Sequence, residues 1–218
     1  MTSTLDSGPV RAEIAAMLAA ADAQEPELHA MLAEVAPDGG VSETELAPHL
    51  RDAWISVPRE VGELLAMLVR STGARTVVEF GTSFGVSTVF LAAALRDNGG
   101  GTVVSTEIER SKADAARAHL TASGLSDLAE IRVGDALETL RDLPSDVDLL
   151  LLDGWSELYL PVLSVVEPRL RAGALVVADD TSLFPDTLAA YLAHVRDGGG
   201  YRSVALGVGD GVELSIRG

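Results

Sequence analysis

A doubly wound α/β fold is predicted by three features of the chain: a mostly parallel seven-stranded sheet with an antiparallel last strand, preceded by N-terminal helices. From Arg75 onward, short apolar runs alternate with helical patterns, which is how parallel strands joined by crossover helices read. The stretch Val77-Val78-Glu79-Phe80-Gly81-Thr82-Ser83-Phe84-Gly85-Val86-Ser87-Thr88 passes from a buried strand through a glycine turn into a helix. At the far end, residues 204–208 and 212–216 flank Gly209-Asp210-Gly211, a hairpin signal that reverses the last strand.

Taken in order, residues 1–7 carry no periodicity and read as frayed, and residues 10–23 form an alanine-rich helical pattern through Ile14, Met17, Leu18 and Ala21. A second short helix is expected over 27–35. Pro37-Asp38-Gly39-Gly40 then breaks the chain, and Ser42-Glu43-Thr44-Glu45 resembles a capping box opening a third helix toward Leu50. Pro58 starts a helix over Arg59–Thr72 with an apolar stripe of Val61, Leu64, Leu65, Leu68 and Val69, ended by Gly73. Strands follow near 75–80, 102–107, 128–133, 147–152 and 173–178, with helices near 85–96, 110–123, 135–141, 157–169 and 185–197. The run Val147-Asp148-Leu149-Leu150-Leu151-Leu152 is apolar nearly throughout, as a central strand covered on both faces should be.

Composition narrows the function classes. The 218 residues are 47% apolar and 22% charged, the make-up of a soluble globular protein. One ligand-binding domain is expected over 58–218, with 1–57 as a helical extension or lid packed on it. Acidic residues outnumber basic ones 33 to 16, a net charge of -17 that repels a phosphate backbone and argues against a nucleic-acid partner. There is no cysteine, hence no disulfide or thiolate metal site, and no apolar run long enough for a membrane span. No basic start followed by an apolar stretch opens the chain, so a cytoplasmic location is expected. Apolar faces on the first helices, with Met17, Leu18, Met31 and Leu32, suit a homodimer surface or a lid.

The glycine turn points to a nucleotide cofactor, because Gly81 and Gly85 let the backbone turn sharply and a ligand approach the next helix's N-terminal amides. The glycines read G-x-x-x-G, and Glu107 lies further beyond Gly81 than the spacing of about 20 in the dinucleotide fingerprint, which favours S-adenosylmethionine over NAD. Glu79, Glu107, Asp135, Asp153 and Asp179 all fall at or just past the carboxyl ends of expected strands, the edge where open α/β sheets bind ligands. Asp135 directly precedes a helix and also suits its N-cap.

Glu79-Phe80-Gly81-Thr82-Ser83-Phe84-Gly85, Thr106-Glu107-Ile108, Gly134-Asp135-Ala136, Leu152-Asp153-Gly154-Trp155 and Ala178-Asp179-Asp180, in that order, resemble the small metal-dependent O-methyltransferases of the catechol O-methyltransferase type over about residues 50–218. The resemblance implies a class I methyltransferase fold that moves a methyl group from S-adenosylmethionine to a small-molecule hydroxyl. It places Glu107 on the ribose, the turn at Gly81 against the methionine part, and Asp135 and Trp155 at the adenine, with Glu79, Thr82, Ser83, Gly85, Ser87, Ile108, Gly134, Ala136 and Asp153 around the cofactor. It also implies that Asp153, Asp179 and Asp180 ligate Mg²⁺ or another divalent cation, Asp180 standing where the family commonly has asparagine. Ser156 departs from the family, which places its catalytic lysine here. Metal activation of the acceptor at Asp153, or His49 acting as base, would supply what that lysine does. The alternative is a cofactor-binding protein of this fold with a non-methylating or regulatory role.

Overall fold

The structure is a computed structural model that describes residues 3–35, 41–144 and 146–218. The break expected at Pro37–Gly40 lies outside the described residues. The core elements are β1 (Thr76–Phe80), α4 (Val86–Asp97), β2 (Thr102–Glu107), α5 (Arg110–Ala122), β3 (Ala129–Val133), α6 (Ala136–Thr139), β4 (Val147–Leu152), α7 (Tyr159–Val166), β5 (Leu170–Ala178), α8 (Ala189–Asp197), β6 (Tyr201–Leu206) and β7 (Val212–Arg217); three helices precede them, α1 (Gly8–Val35), α2 (Glu43–Leu46) and α3 (Arg59–Thr72). The seven strands form one sheet in the order β3-β2-β1-β4-β5-β7-β6. β7 inserts antiparallel between β5 and β6, and the hairpin expected around Gly209 makes that insertion.

Strand order reverses between β1 and β4, which opens a crevice at the carboxyl ends of these two neighbours. β4 sits in the middle of the sheet, and all its residues except Asp148 are buried. Two apolar clusters sandwich the sheet. Val77, Val103, Leu149, Leu151 and Val177 face α3 and α4, while Val78, Val104, Leu150, Leu152 and Val176 face α7 and α8. This alternation along each strand is the period of two that sends neighbouring side chains to opposite faces.

The N-terminal region differs from the expectation in two ways. Residues 8–35 form one helix rather than two, with Pro26 inside it. A proline forfeits one backbone bond but does not by itself end a helix whose next turns continue the pattern. Residues 3–6 are tethered rather than frayed: the Thr4 amide and hydroxyl and the Ser3 hydroxyl all donate to the Asp97 carboxylate at the end of α4. Val10, Ile14 and Met17 join the cluster that covers the α4 face of the sheet, so α1 shares that core. The capping box forms as expected, Ser42 with Glu45, but α2 ends at Leu46 and the chain turns before Leu50. No described helix is long and apolar enough to cross a membrane.

Candidate functional site

The turn after β1 is built by glycine. Gly81 has φ 98, and a Cβ there would run into the Asp153 carbonyl, so the loops after β1 and β4 touch backbone to backbone. Ser83 accepts a left-handed φ of 47 and Gly85 one of 90, which brings the chain into the first turn of α4. The amides of Gly81 and Thr82 both donate to the Thr106 carbonyl, tying this turn to β2.

Glu79 lies beneath the turn, fully buried. Its Oε2 accepts from the Thr88 hydroxyl at 2.6 Å and from the Ser105 hydroxyl, which also pairs with Thr82, while its Oε1 has no hydrogen-bond partner among the described residues. Burial raises its pKa, only partly offset by hydroxyl donors that include Ser87. Thr82, Ser87 and Glu79 therefore form a buried polar knot that underpins the glycine turn.

Glu107 closes the turn from the side. Its Oε2 accepts from the Ser83 amide at 2.7 Å and its Oε1 from the Glu109 amide at 2.9 Å. Burial raises its pKa against these bonds and the nearby Lys112 ammonium. Lys112 is itself buried, which lowers its pKa, and its Nζ lies 5.5 Å from the Phe84 ring centroid. Phe84 stacks on Trp54 at 4.2 Å, and Arg51 pairs with Glu109 at 2.9 Å, so residues 51–54 border the Glu107 end of the site. Ile108 stays 57% exposed beside Glu107. Gly134 donates its amide to the Glu107 carbonyl, Asp135 is an exposed N-cap for Leu137, and Ala136 is buried.

At the β4 and β5 ends the carboxylates crowd. The Asp153 amide donates to Phe80 and the Asp179 amide to Leu152, which sets the two loops side by side. Burial, then Asp179, Asp180 and Glu79, push the Asp153 carboxyl well above the usual aspartate range. Burial and Asp180 push Asp179 up to about 7, and burial with Asp210 and Glu43 pushes Asp180 up to about 6. Asp179 is 2% exposed, and its Oδ1 has no partner among the described residues. The buried Tyr159 hydroxyl donates to the Asp179 carbonyl at 3.2 Å. The charges that act on these three aspartates among the described residues are carboxylates, Glu43, Glu79, Asp210 and the aspartates themselves.

Three hard oxygen donors with no basic partner among the described residues, one of them with a buried oxygen unpaired there, suit a divalent cation chemically. Their geometry differs from the expected ligand set: among the described residues no three Asp, Glu, His or Cys side chains converge as a ready cage. Like charges oppose that convergence, and Asp180 holds a left-handed φ of 59.

Ser156 is buried, and its surroundings could not be read from the chain. Glu43, at the start of α2, accepts from the Ser156 amide at 2.5 Å, the Ser156 hydroxyl at 2.6 Å and the Glu157 amide at 3.4 Å, all on Oε2. Burial raises the Glu43 pKa in spite of these donors. Trp155 is half-buried in the turn before them. His49 is exposed on the turn after α2, and no contact among the described residues joins it to the aspartates. His119 pairs with Glu13 and lies 5.9 Å from the Trp54 ring, and His194 pairs with Glu167.

The chain is similar to known proteins over much of its length. Residues 78–181 match the family described as a methyltransferase domain. The chain is 34% identical over 127 residues to a catechol O-methyltransferase of Mycobacterium tuberculosis, covering 58% of this chain and 57% of that protein. It therefore spans little more than half the length of that relative. A protein of Mycobacterium ulcerans named as an O-methyltransferase is 30% identical over 154 residues, 67% of each chain. Among solved structures, the O-methyltransferase TomG from Streptomyces achromogenes, involved in tomaymycin synthesis and determined in complex with S-adenosylmethionine, is similar with a TM-score of 0.69 at 26% identity, covering 80% of this chain and 87% of that one.

Proposed function

We infer from family and site together, since the chain belongs to the class I S-adenosylmethionine-dependent O-methyltransferases of the catechol O-methyltransferase-like type, that it methylates a hydroxyl of a small molecule, a catechol-like or natural-product acceptor. The observation that carries this reading is the unit made by the Gly81 turn and Glu107. A carboxylate fixed by the Ser83 and Glu109 amides keeps lone pairs free for two ribose hydroxyls, beside a glycine turn that admits the methionine part. Ile108, Asp135 and Trp155 would border the adenine, with Gly134 and Ala136 shaping the loop beneath it.

Methyl transfer is an in-line displacement, so the protein's work is to hold the acceptor oxygen in line with the methyl group and to favour its anion. Asp153, Asp179 and Asp180 are the residues that would hold a divalent cation such as Mg²⁺, and its chemistry there would be to lower the pKa of the acceptor hydroxyl. The acidic edge and the net charge of -17 disfavour polyanionic acceptors and nucleic acid. A second reading, cofactor binding without transfer, is favoured by Ser156 alone. Calorimetric titration with S-adenosylhomocysteine, followed by transfer of a labelled methyl group to a panel of phenols and catechols, tests both. Binding with transfer supports the enzyme, binding without transfer the second reading, and no binding refutes both.

A further inference from the structure

The feature that the family reading leaves unexplained is a glutamate from the N-terminal region buried against the loop after β4. Glu43 reaches Ser156 across 113 positions of sequence, and three donors fix its Oε2: the Ser156 amide and hydroxyl and the Glu157 amide. None of these bonds falls on Oε1. Among the described residues, the charged and titratable groups that act with Glu43 are Glu157 beside Ser156 across the contact, Asp180 after β5, and Tyr159 on α7, whose hydroxyl feels Glu43 as well as Asp153, Asp179 and Asp180. Asp179, next to Asp180, is 2% exposed, and its buried Oδ1 has no hydrogen-bond partner among the described residues.

A carboxylate held on one oxygen by a serine and two amides has the architecture of an oriented base: the third group fixes the rotamer, and the other oxygen is left to receive a proton. We propose that Glu43 is the general base of the methyl transfer, taking the acceptor hydroxyl proton on Oε1 while Ser156 holds Oε2 in place. This rests on the O-methyltransferase reading above. Glu43 takes the proton as the acceptor oxygen bonds to the methyl carbon. The carbon–sulfur bonding pair stays with sulfur, which leaves a neutral thioether, and the proton then passes from Glu43 to water. Ser156 is a positioning residue in this scheme. Burial, which raises the Glu43 pKa, makes the carboxylate a stronger proton acceptor than an exposed glutamate.

The test compares two acceptors with the full chain, S-adenosylmethionine and Mg²⁺ at neutral pH: catechol, whose hydroxyls are protonated there, and a nitrocatechol, which is already ionised. With catechol, Glu43→Gln should lower kcat by roughly 10²–10⁴-fold. With the nitrocatechol, whose more acidic hydroxyl has already lost its proton, the loss should be under about 5-fold. Glu43→Asp should recover part of the catechol rate, and Ser156→Ala should reduce that rate by less than Glu43→Gln does. Equal losses on both acceptors would make Glu43 a structural latch, and undiminished catechol turnover in Glu43→Gln would leave the base elsewhere; either result overturns the proposal. A native chain that methylates neither acceptor overturns the transferase reading first, and the role of Glu43 with it.

Discussion

Replacing Glu107 by glutamine separates what this carboxylate does for the fold from what it does for the cofactor. In the structure its two oxygens serve two different backbone amides, Ser83 at 2.7 Å and Glu109 at 2.9 Å. Glutamine offers one oxygen and one NH₂, so whichever way the amide turns, one of those N–H groups faces another donor. A hydrogen bond to a charged acceptor contributes about 1.5–3 kcal/mol, and leaving a buried donor unpaired costs about 1–3 kcal/mol. Against this, the substitution relieves the burial of a charge, the same burial that raises the pKa of Glu107. A net loss of about 2–4 kcal/mol is expected, which for a chain of this size lowers the melting temperature by about 5–15 °C. Glu107→Ala removes both ribose contacts and should weaken S-adenosylhomocysteine binding by about 100-fold or more. Thermal melting with calorimetric titration of both variants reads the two effects separately. A Glu107→Gln protein that melts within about 1 °C of native refutes the amide-pinning argument, and an unchanged affinity in Glu107→Ala refutes the ribose role.

Stability should fall as pH rises from about 4 to about 7, because Asp179 and Asp180 release their protons near 4 when unfolded but only at about 7 and about 6 in the fold, so the folded state holds the extra protons through that window. Asp179→Asn should flatten the slope of melting temperature against pH and be the more stable protein at pH 7; a variant with the native slope refutes the assignment. Mg²⁺ should raise the melting temperature at neutral pH, and Asp179→Asn should remove most of that rise, whereas superimposable curves with Mg²⁺ and with chelator would show that the aspartates hold no such ion. Gly81→Ala sets a Cβ against the Asp153 carbonyl at φ 98, so both the melting temperature and S-adenosylhomocysteine affinity should drop; native-like values for either would mean that the two loops part without consequence.

The sheet was legible because its signals are local. Glycine turns, strands with a period of two and the Gly209 hairpin each occupy a dozen residues or fewer, and the strand-end acids follow from them directly. What failed to show depended on distant partners. Ser3 and Thr4 looked frayed because nothing near them in sequence announces Asp97, more than ninety positions away. The gap expected between residues 23 and 27 is bridged by one helix that runs through Pro26, since the turns on either side continue the pattern. Glu43 is the instructive case. The capping box needs only Ser42 and Glu45, which left Glu43 as an acid without a job in its own segment. An acid that its local motif does not use was the one hint available, and pairing it with Ser156 required the fold.

The two halves of the acidic edge solve the problem of buried charge differently, and that difference orders the site. At the β2 end, Glu107 is met by two backbone amides and a buried lysine, so its charge is compensated inside the chain. At the β4 and β5 ends, burial and neighbouring carboxylates raise the pKa values of Asp153, Asp179 and Asp180, and among the described residues no basic side chain offsets them. A site with both kinds of half should bind the nucleoside into a preformed cradle, whereas its acceptor half becomes fully charged only as positive charge arrives. A divalent cation and the sulfonium of the methyl donor both bring such charge, so each should bind more tightly in the presence of the other. Glu43 belongs to this second half, since its charge acts on Asp180, and three donors hold its Oε2. Those three donors keep Glu43 in a fixed orientation before any ligand binds, which is the property a base for the acceptor hydroxyl requires.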